Sequence, residues 1–194
     1  MEKQINSLIK VDRSFYPVTI FGYSSRGIPG LEIVGIGADG RIIKEKILYY
    51  MRSRKLGFCQ KRILIGVDFK HLGKKNINFQ MLEVPILILY LSLCGNLKAR
   101  NLANCLSVGR FSPDGSFNFD LFNEDLEKFL NESWSPGENS CLIAPEHFGP
   151  IQSCFQIDLE GFFKNVQKID SPENSGGLSI PSTFNTVGAT SFKA

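Results

Sequence analysis

Histidine and tryptophan are nearly missing from this sequence: His71, His147 and Trp134 are the only ones among 194 residues. The five cysteines, Cys59, Cys94, Cys105, Cys141 and Cys154, include no C-x-x-C pair. Zinc and similar ions need histidines and thiolates at short, regular spacings, so neither a resident metal nor any other cofactor is expected. An odd set of cysteines without a framework spacing reads as small buried residues in a reducing cytoplasm. The opening segment MEKQINSLIKVDR carries no apolar stretch of the secretory kind. The most apolar run, VPILILYLSL at 84–93, is half of what a membrane-spanning helix needs. What remains is ordinary globular composition, rich in phenylalanine (16 residues) and long enough to bury one core without a staple.

Charge is abundant but segregated. The net value is only +3, yet residues 41–75 hold eleven Lys/Arg against Glu45 and Asp68, and residues 114–173 hold twelve Asp/Glu against three lysines. A basic half of this kind suits phosphates, or the acidic half of a second copy; a merely solvated helix face is the plain alternative.

The stretch from Gly27 to Lys46, GIPGLEIVGIGADGRIIKEK, reads as turn, strand, glycine turn and helix. Leu31 to Ile36 alternate and then become continuously apolar, as a strand entering a core does. Asp39 is placed to cap a helix from Arg41, whose inner face is Ile43, Ile47, Tyr50 and Arg54, flanked by Ile42 and Met51. Gly35, Gly37 and Gly40 have the G-x-G-x-x-G spacing of dinucleotide sites, but glycines serving a tight corner explain it as well. The helix is expected to end near Leu56-Gly57-Phe58, with Gly57 beyond its last turn. The candidate binding face is Arg41, Lys44, Arg52, Arg54, Lys55, Lys61 and Arg62, on this helix and the strand entry after it.

Elsewhere, Pro17 to Tyr23 alternates as a strand with proline first, and Ile63 to Phe69 forms another. Val84 to Leu93 is a helix apolar all round, hence buried, and Gly95-Asn96 caps it. Leu106 to Phe111 and Ser116 to Asp120 read as a hairpin turning at Asp114-Gly115. Asn123-Glu124-Asp125 starts an acidic helix to about Glu132. Ser140 to Ala144 and Phe155 to Leu159 are strands, with short helices around His147 and over 160–168. The predicted fold is a two-layer α/β domain with a mixed sheet over about residues 8–168 and helices near 41–56, 83–94 and 122–132. A Ser-, Gly- and Thr-rich tail from 171 to 194 is expected to be disordered, leaving one domain over 1–170.

Several blocks in order carry a resemblance: P-V-T-I, G-I-P-G-L-E-I-V-G-I-G, K-E-K-I, L-G-F, K-R-I-L-I-G-V, then Leu106-Ser107-Val108-Gly109 and Leu142-Ile143-Ala144-Pro145-Glu146. Over roughly Val11 to Lys168 the chain resembles the amino-terminal domain of the ComM/YifB family, bacterial magnesium-chelatase-like AAA+ proteins. The resemblance implies a Lon-protease-like fold of the ribosomal-protein-S-five domain-two type. It also implies a supporting role in competence- or recombination-linked DNA processing, with self-association or an AAA+ ATPase as partner, DNA as a further ligand, and no membrane. There are departures, with about one residue inserted before the first helix and a few after Leu72.

In Lon-type peptidases a serine before the buried helix is activated by a lysine. The serine position falls here on Asn78 or Met81, neither of which is such a nucleophile. The lysine position offers only Lys128, beside Glu124, Asp125 and Glu127, where an exposed, ion-paired lysine is expected. No G-x-x-x-x-G-K-[ST] loop occurs in these residues, so ATP chemistry would belong to a partner. The expectation is therefore a non-catalytic binding or assembly module. The alternatives are a degenerate Ser–Lys peptidase-like domain and a truncated remnant without activity of its own.

Overall fold

The computed structural model describes residues 1–12, 14–68, 77–99, 101–118, 120, 123–134, 140–145, 148, 151, 155–158 and 161–163. Both histidines, Cys154 and the expected tail from 171 lie outside the described residues. Strands β1 (Glu2–Val11), β2 (Ser14–Ser25) and β3 (Gly30–Val34) precede helix α1 (Gly37–Ser53) and strand β4 (Arg62–Asp68). A two-residue β5 (Ile77–Asn78) leads into helix α2 (Glu83–Cys94), followed by β6 (Cys105–Ser107). A small hairpin, β7 (Arg110–Phe111) and β8 (Phe117–Asn118), precedes helix α3 (Glu124–Glu132), and β9 (Cys141–Ala144) and β10 (Phe155–Asp158) complete the order.

Seven strands form one mixed sheet in the order β10-β9-β6-β1-β2-β4-β3, and β5 pairs with the end of β1. β1 and β2 are antiparallel over their whole length, from Val11↔Ser14 to Glu2↔Tyr23. β4 is antiparallel to β2 and parallel to β3, so β3, α1 and β4 make one parallel crossover unit. On the other side of β1, β6, β9 and β10 are all parallel.

The pleat sorts the core. Ile5, Ile9 and Val11 of β1, Val18 and Ile20 of β2, and Ile63 and Ile65 of β4 point to one face. There they bury Glu83 to Leu93 of α2, together with Ile43, Ile47 and Tyr50 of α1. Each fully buried leucine of α2 contributes about 2 kcal/mol of transfer free energy. Leu8, Leu106, Leu142 and Ala144 point the other way, against Leu126 and Leu130 of α3. The expected two layers are thus three over the β1-β6-β9 half, because α3 lies across the sheet from α2. The remaining half, β2-β4-β3, leaves Phe21, Tyr23 and Val34 exposed on that outer face.

Several local expectations are corrected. Pro17 is the fourth residue of β2, tolerated because β4 pairs with β2 only from Thr19 onward, leaving that edge free of a ladder donor. α1 begins at Gly37 with Ile36 at its cap position, so Asp39 sits inside the first turn and favours the helix dipole without capping. It ends in a Schellman motif: Leu56 N–H donates to Met51 O at 2.9 Å and Lys55 N–H to Arg52 O at 3.1 Å. Lys55 occupies the left-handed position at φ 53, not Gly57. Ile42 points outward and Arg54 is exposed, so neither belongs to the inner face. The run from Leu106 to Phe111 is two strands, since Gly109 at φ 148 redirects the chain from the main sheet into the hairpin.

The pattern of the first ten residues predicts no strand, yet β1 is the central strand. The helices over 83–94 and 124–132, the left-handed Gly95 cap and the β9 and β10 strands match expectation.

Candidate functional site

The register around the β3 edge assembles a basic groove. Arg62 opens β4 opposite Ser25, the last residue of β2, and opposite Gly30, the first of β3. Arg26 follows Ser25 directly, and the first turns of α1 bring Arg41 and Lys44 to the same edge. The result is an open groove of about 740 Å³ with Arg26, Arg41, Lys44 and Arg62 on its walls and Leu31, Ile33 and Ile63 among its apolar lining. Glu32 is its one carboxylate, and Arg62 holds it at 3.1 Å. Three of the four cations are left for an incoming anion, in a concave site where like-signed fields reinforce one another. The open Gly27-Ile28-Pro29-Gly30 turn forms the mouth, with Ile28 89% exposed.

The seven basic residues expected as one face are divided. Arg41, Lys44 and Arg62 share the groove; Arg52, Arg54, Lys55 and Lys61 do not line it. Arg52 lies over the Phe58 ring at 5.9 Å and Arg54 over Tyr50 at 6.0 Å, each a cation–π contact. Lys55 closes the helix end. Arg26 escapes a reading of the sequence because only the Ser25↔Arg62 pairing brings it alongside the helix.

A second hollow, about 640 Å³, lies along the outer face of α1. Ile42 and Tyr49, 55% and 56% exposed, line it with Arg41, Arg52 and Pro113. Leaving two large apolar side chains two turns apart in water is unusual for a helix that buries Ile43, Ile47, Tyr50 and Met51; Leu48, half-buried, lies on the same hollow.

The glycine corner serves packing. A side chain at Gly35, at φ 97, would meet the Val67 carbonyl at 2.7 Å, and one at Gly40 would meet the Ile33 carbonyl at 3.0 Å. Two of the three glycines of the dinucleotide-like spacing are thus required by close approach of neighbouring strands.

For nucleophilic chemistry the candidate positions are occupied otherwise. The Asn78 side chain accepts from Gln80 N–H at 2.9 Å, capping the turn that leads to α2, and Met81 is buried. Lys128 is exposed, and the nearby Asp125 pairs with Lys10 at 3.7 Å instead. A serine–lysine contact does occur elsewhere: Lys3 Nζ donates to Ser92 Oγ and to Ala99 O. Burial lowers the Lys3 pKa. Ser92, however, is 1% exposed within α2, where no substrate carbonyl can approach it. The thiols fare no better: burial pushes Cys94 up, and the hydrogen bond that the Cys141 thiol donates to Cys105, together with burial, pushes Cys141 up, so neither is a ready thiolate. Among the described residues no group of three or more His, Cys, Asp or Glu could hold a metal ion, and no helix is long and apolar enough to cross a membrane.

Fold and site together define a mixed α/β domain with a cationic groove wrapped around its sheet edge. No protein-family model and no curated protein matches the chain.

Proposed function

We propose that this chain is a non-catalytic binding module that takes the sugar–phosphate backbone of nucleic acid into the groove between Arg26, Arg41, Lys44 and Arg62. The observation that carries this reading is the convergence of four cations from three separate segments on one concavity with a single, already paired carboxylate. Phosphate contacts position a nucleic acid without reading its sequence, so binding is indifferent to sequence and steeply salt-dependent. The resemblance to the ComM/YifB amino-terminal domain supports placing the module beside an AAA+ ATPase in competence- or recombination-linked DNA processing, with the Lon-protease-like fold that it implies. The test is binding of single-stranded and branched DNA across a salt series. Arg41→Ala with Lys44→Ala should lower the slope of log affinity against log salt by about two. An unchanged slope, or no binding at low salt, sinks the proposal.

A second reading rests on the hollow along α1. Ile42 and Tyr49 flanked by Arg41 and Arg52 suit a protein surface that is apolar and acidic, and α3 exposes Glu124, Asp125 and Glu132. Self-association, or docking of the ATPase partner, would bury this stripe. Light scattering of Ile42→Asp in parallel with the parent chain tests it: an oligomer that survives the change removes this reading.

A further inference from the structure

The outer face of the sheet continues from the groove, and it is there that the kind of nucleic acid is decided. Even-numbered residues of β2 face α2, as Gly22 demonstrates: a side chain there would meet Leu93 Cδ1 at 2.9 Å. Phe21 and Tyr23 therefore stand side by side on the opposite face, 42% and 40% exposed. Aromatic side chains of this size ordinarily belong to a core and not to a solvated sheet face.

Phe21 pairs across the strand with Gly66, whose missing side chain leaves its place to the ring: a Cβ at Gly66 would fall 2.4 Å from Phe21 Cζ. The ring thus lies down on the sheet and offers a π-face outward. Tyr23 pairs with Leu64, and the next outward residue on β4 is Arg62, a wall of the basic groove. Beside the two rings is an open depression of about 800 Å³, with Glu2, Lys3, Gln4, Ala99, Asn101 and Ala103 also on its lining. The order along this surface is the Gln4 and Asn101 amides, then the two rings with Glu2 and Glu32 in the same outward row as Tyr23, then Arg62 and Arg26 at the sheet edge, with Arg41 and Lys44 beyond them on α1.

That order fits a strand whose bases are unstacked and free to lie on rings while its phosphates run over arginine and lysine. A duplex hides its base faces, so it could use the cations only. We infer that this surface binds single-stranded nucleic acid, with consecutive bases stacked on Phe21 and Tyr23 and the adjoining phosphates led past the Arg62–Glu32 pair by Arg26 into the groove. The inference rests on the phosphate-binding reading of the groove and adds to it the single strand and the stacking pair.

The experiment is fluorescence anisotropy of the full chain with a labelled oligo-dT strand and with a duplex of equal length, over a salt series. The single strand should bind at least about tenfold more tightly than the duplex. Phe21→Leu and Tyr23→Leu keep the apolar area but lose the π-face, and each should weaken single-strand binding by roughly tenfold. Neither should alter duplex affinity or the salt slope, whereas Arg41→Ala with Lys44→Ala should alter both. Since Phe21→Leu could loosen the sheet, photo-crosslinking of an iododeoxyuridine strand provides a second measurement, with adducts expected on Phe21 or Tyr23 of the unmodified sequence. Equal affinity for duplex and single strand, leucine variants that bind as well as the parent, or adducts mapping elsewhere would each overturn the stacking pair while leaving the groove in place. Absence of salt-dependent binding to either form overturns the groove itself and the stacking pair with it.

Discussion

Lys46 and Glu83 lie 37 residues apart in the chain and 2.6 Å apart in space, joining the middle of α1 to the first residue of α2. Glu83 is 3% exposed, and its other oxygen accepts from Phe111 N–H at 3.1 Å, while Lys46 also reaches Phe111 O at 3.4 Å. One carboxylate thus ties two helices and the β7 strand together. A buried ion pair of this kind contributes little over an apolar replacement but is costly to break from one side.

Lys46→Met should accordingly destabilise the fold by about 3 kcal/mol, because a buried carboxylate loses its counter-charge. Glu83→Gln should cost less, about 1–2 kcal/mol, since the amide oxygen still accepts from Phe111 N–H. The combination should recover most of the Lys46→Met loss. Urea unfolding of the four forms measures the coupling; simple additivity would show that the pair does not join the two helices.

Glycine positions at the corner before α1 should differ sharply. Gly35→Ala forces a side chain into the Val67 carbonyl at a positive φ and should cost about 3 kcal/mol or more. At Gly37, with φ 58, nothing lies within 4 Å of the place a Cβ would take, so Gly37→Ala should cost only about 1 kcal/mol. Thermal unfolding separates them, and equal effects would mean that the corner does not depend on the approach of β4.

Lys55 offers a test of the division of the basic residues. At φ 53 it occupies a conformation glycine adopts without strain, so Lys55→Gly should stabilise the chain by about 1 kcal/mol. Because Lys55 does not line the groove, nucleic-acid affinity should stay the same within about twofold. A loss of affinity comparable with that of Arg41→Ala would put Lys55 back in the binding surface.

Asp114 carries a pH dependence of known sign. Its carboxylate accepts from Ser116 N–H at 2.9 Å and from Ser116 Oγ at 2.8 Å, and these bonds hold its pKa below the ordinary 3.8. The unfolded chain binds more protons in that window, so the turn is stabilised fully above the ordinary carboxylate value and loses this as pH falls through the lower folded value. The Ser116 amide resonance should titrate with a midpoint below 3.8, and Asp114→Asn should flatten the profile. A midpoint at or above the ordinary value would mean that the Asp114–Ser116 bonds do not persist in solution.

Much of this architecture is written locally. VPILILYLSL is apolar at nearly every position and has no way to stand in water, so a buried helix follows from the residues alone. Asn123 caps α3 by accepting from Leu126 N–H at 3.1 Å, and Gly95 ends α2 in the left-handed conformation, as residue type alone suggests. β1 is less legible. Its residues mix Asn6, Ser7 and Lys10 with Ile5, Leu8 and Ile9, because a central strand packed on both faces has no clean alternation to reveal it.

The segregation of charge, the corner glycines and the buried helix were determined by the sequence itself, since each depends on residue type and near-neighbour spacing. Which cations share a groove was decided only by the tertiary structure. Arg26, Arg41, Lys44 and Arg62 are brought together by strand register, and register is set by long-range pairing that no local window contains. The same holds for Phe21 and Tyr23: alternation identifies a strand, but whether its aromatic side meets a helix or water depends on α3 covering one half of the sheet and leaving the other open.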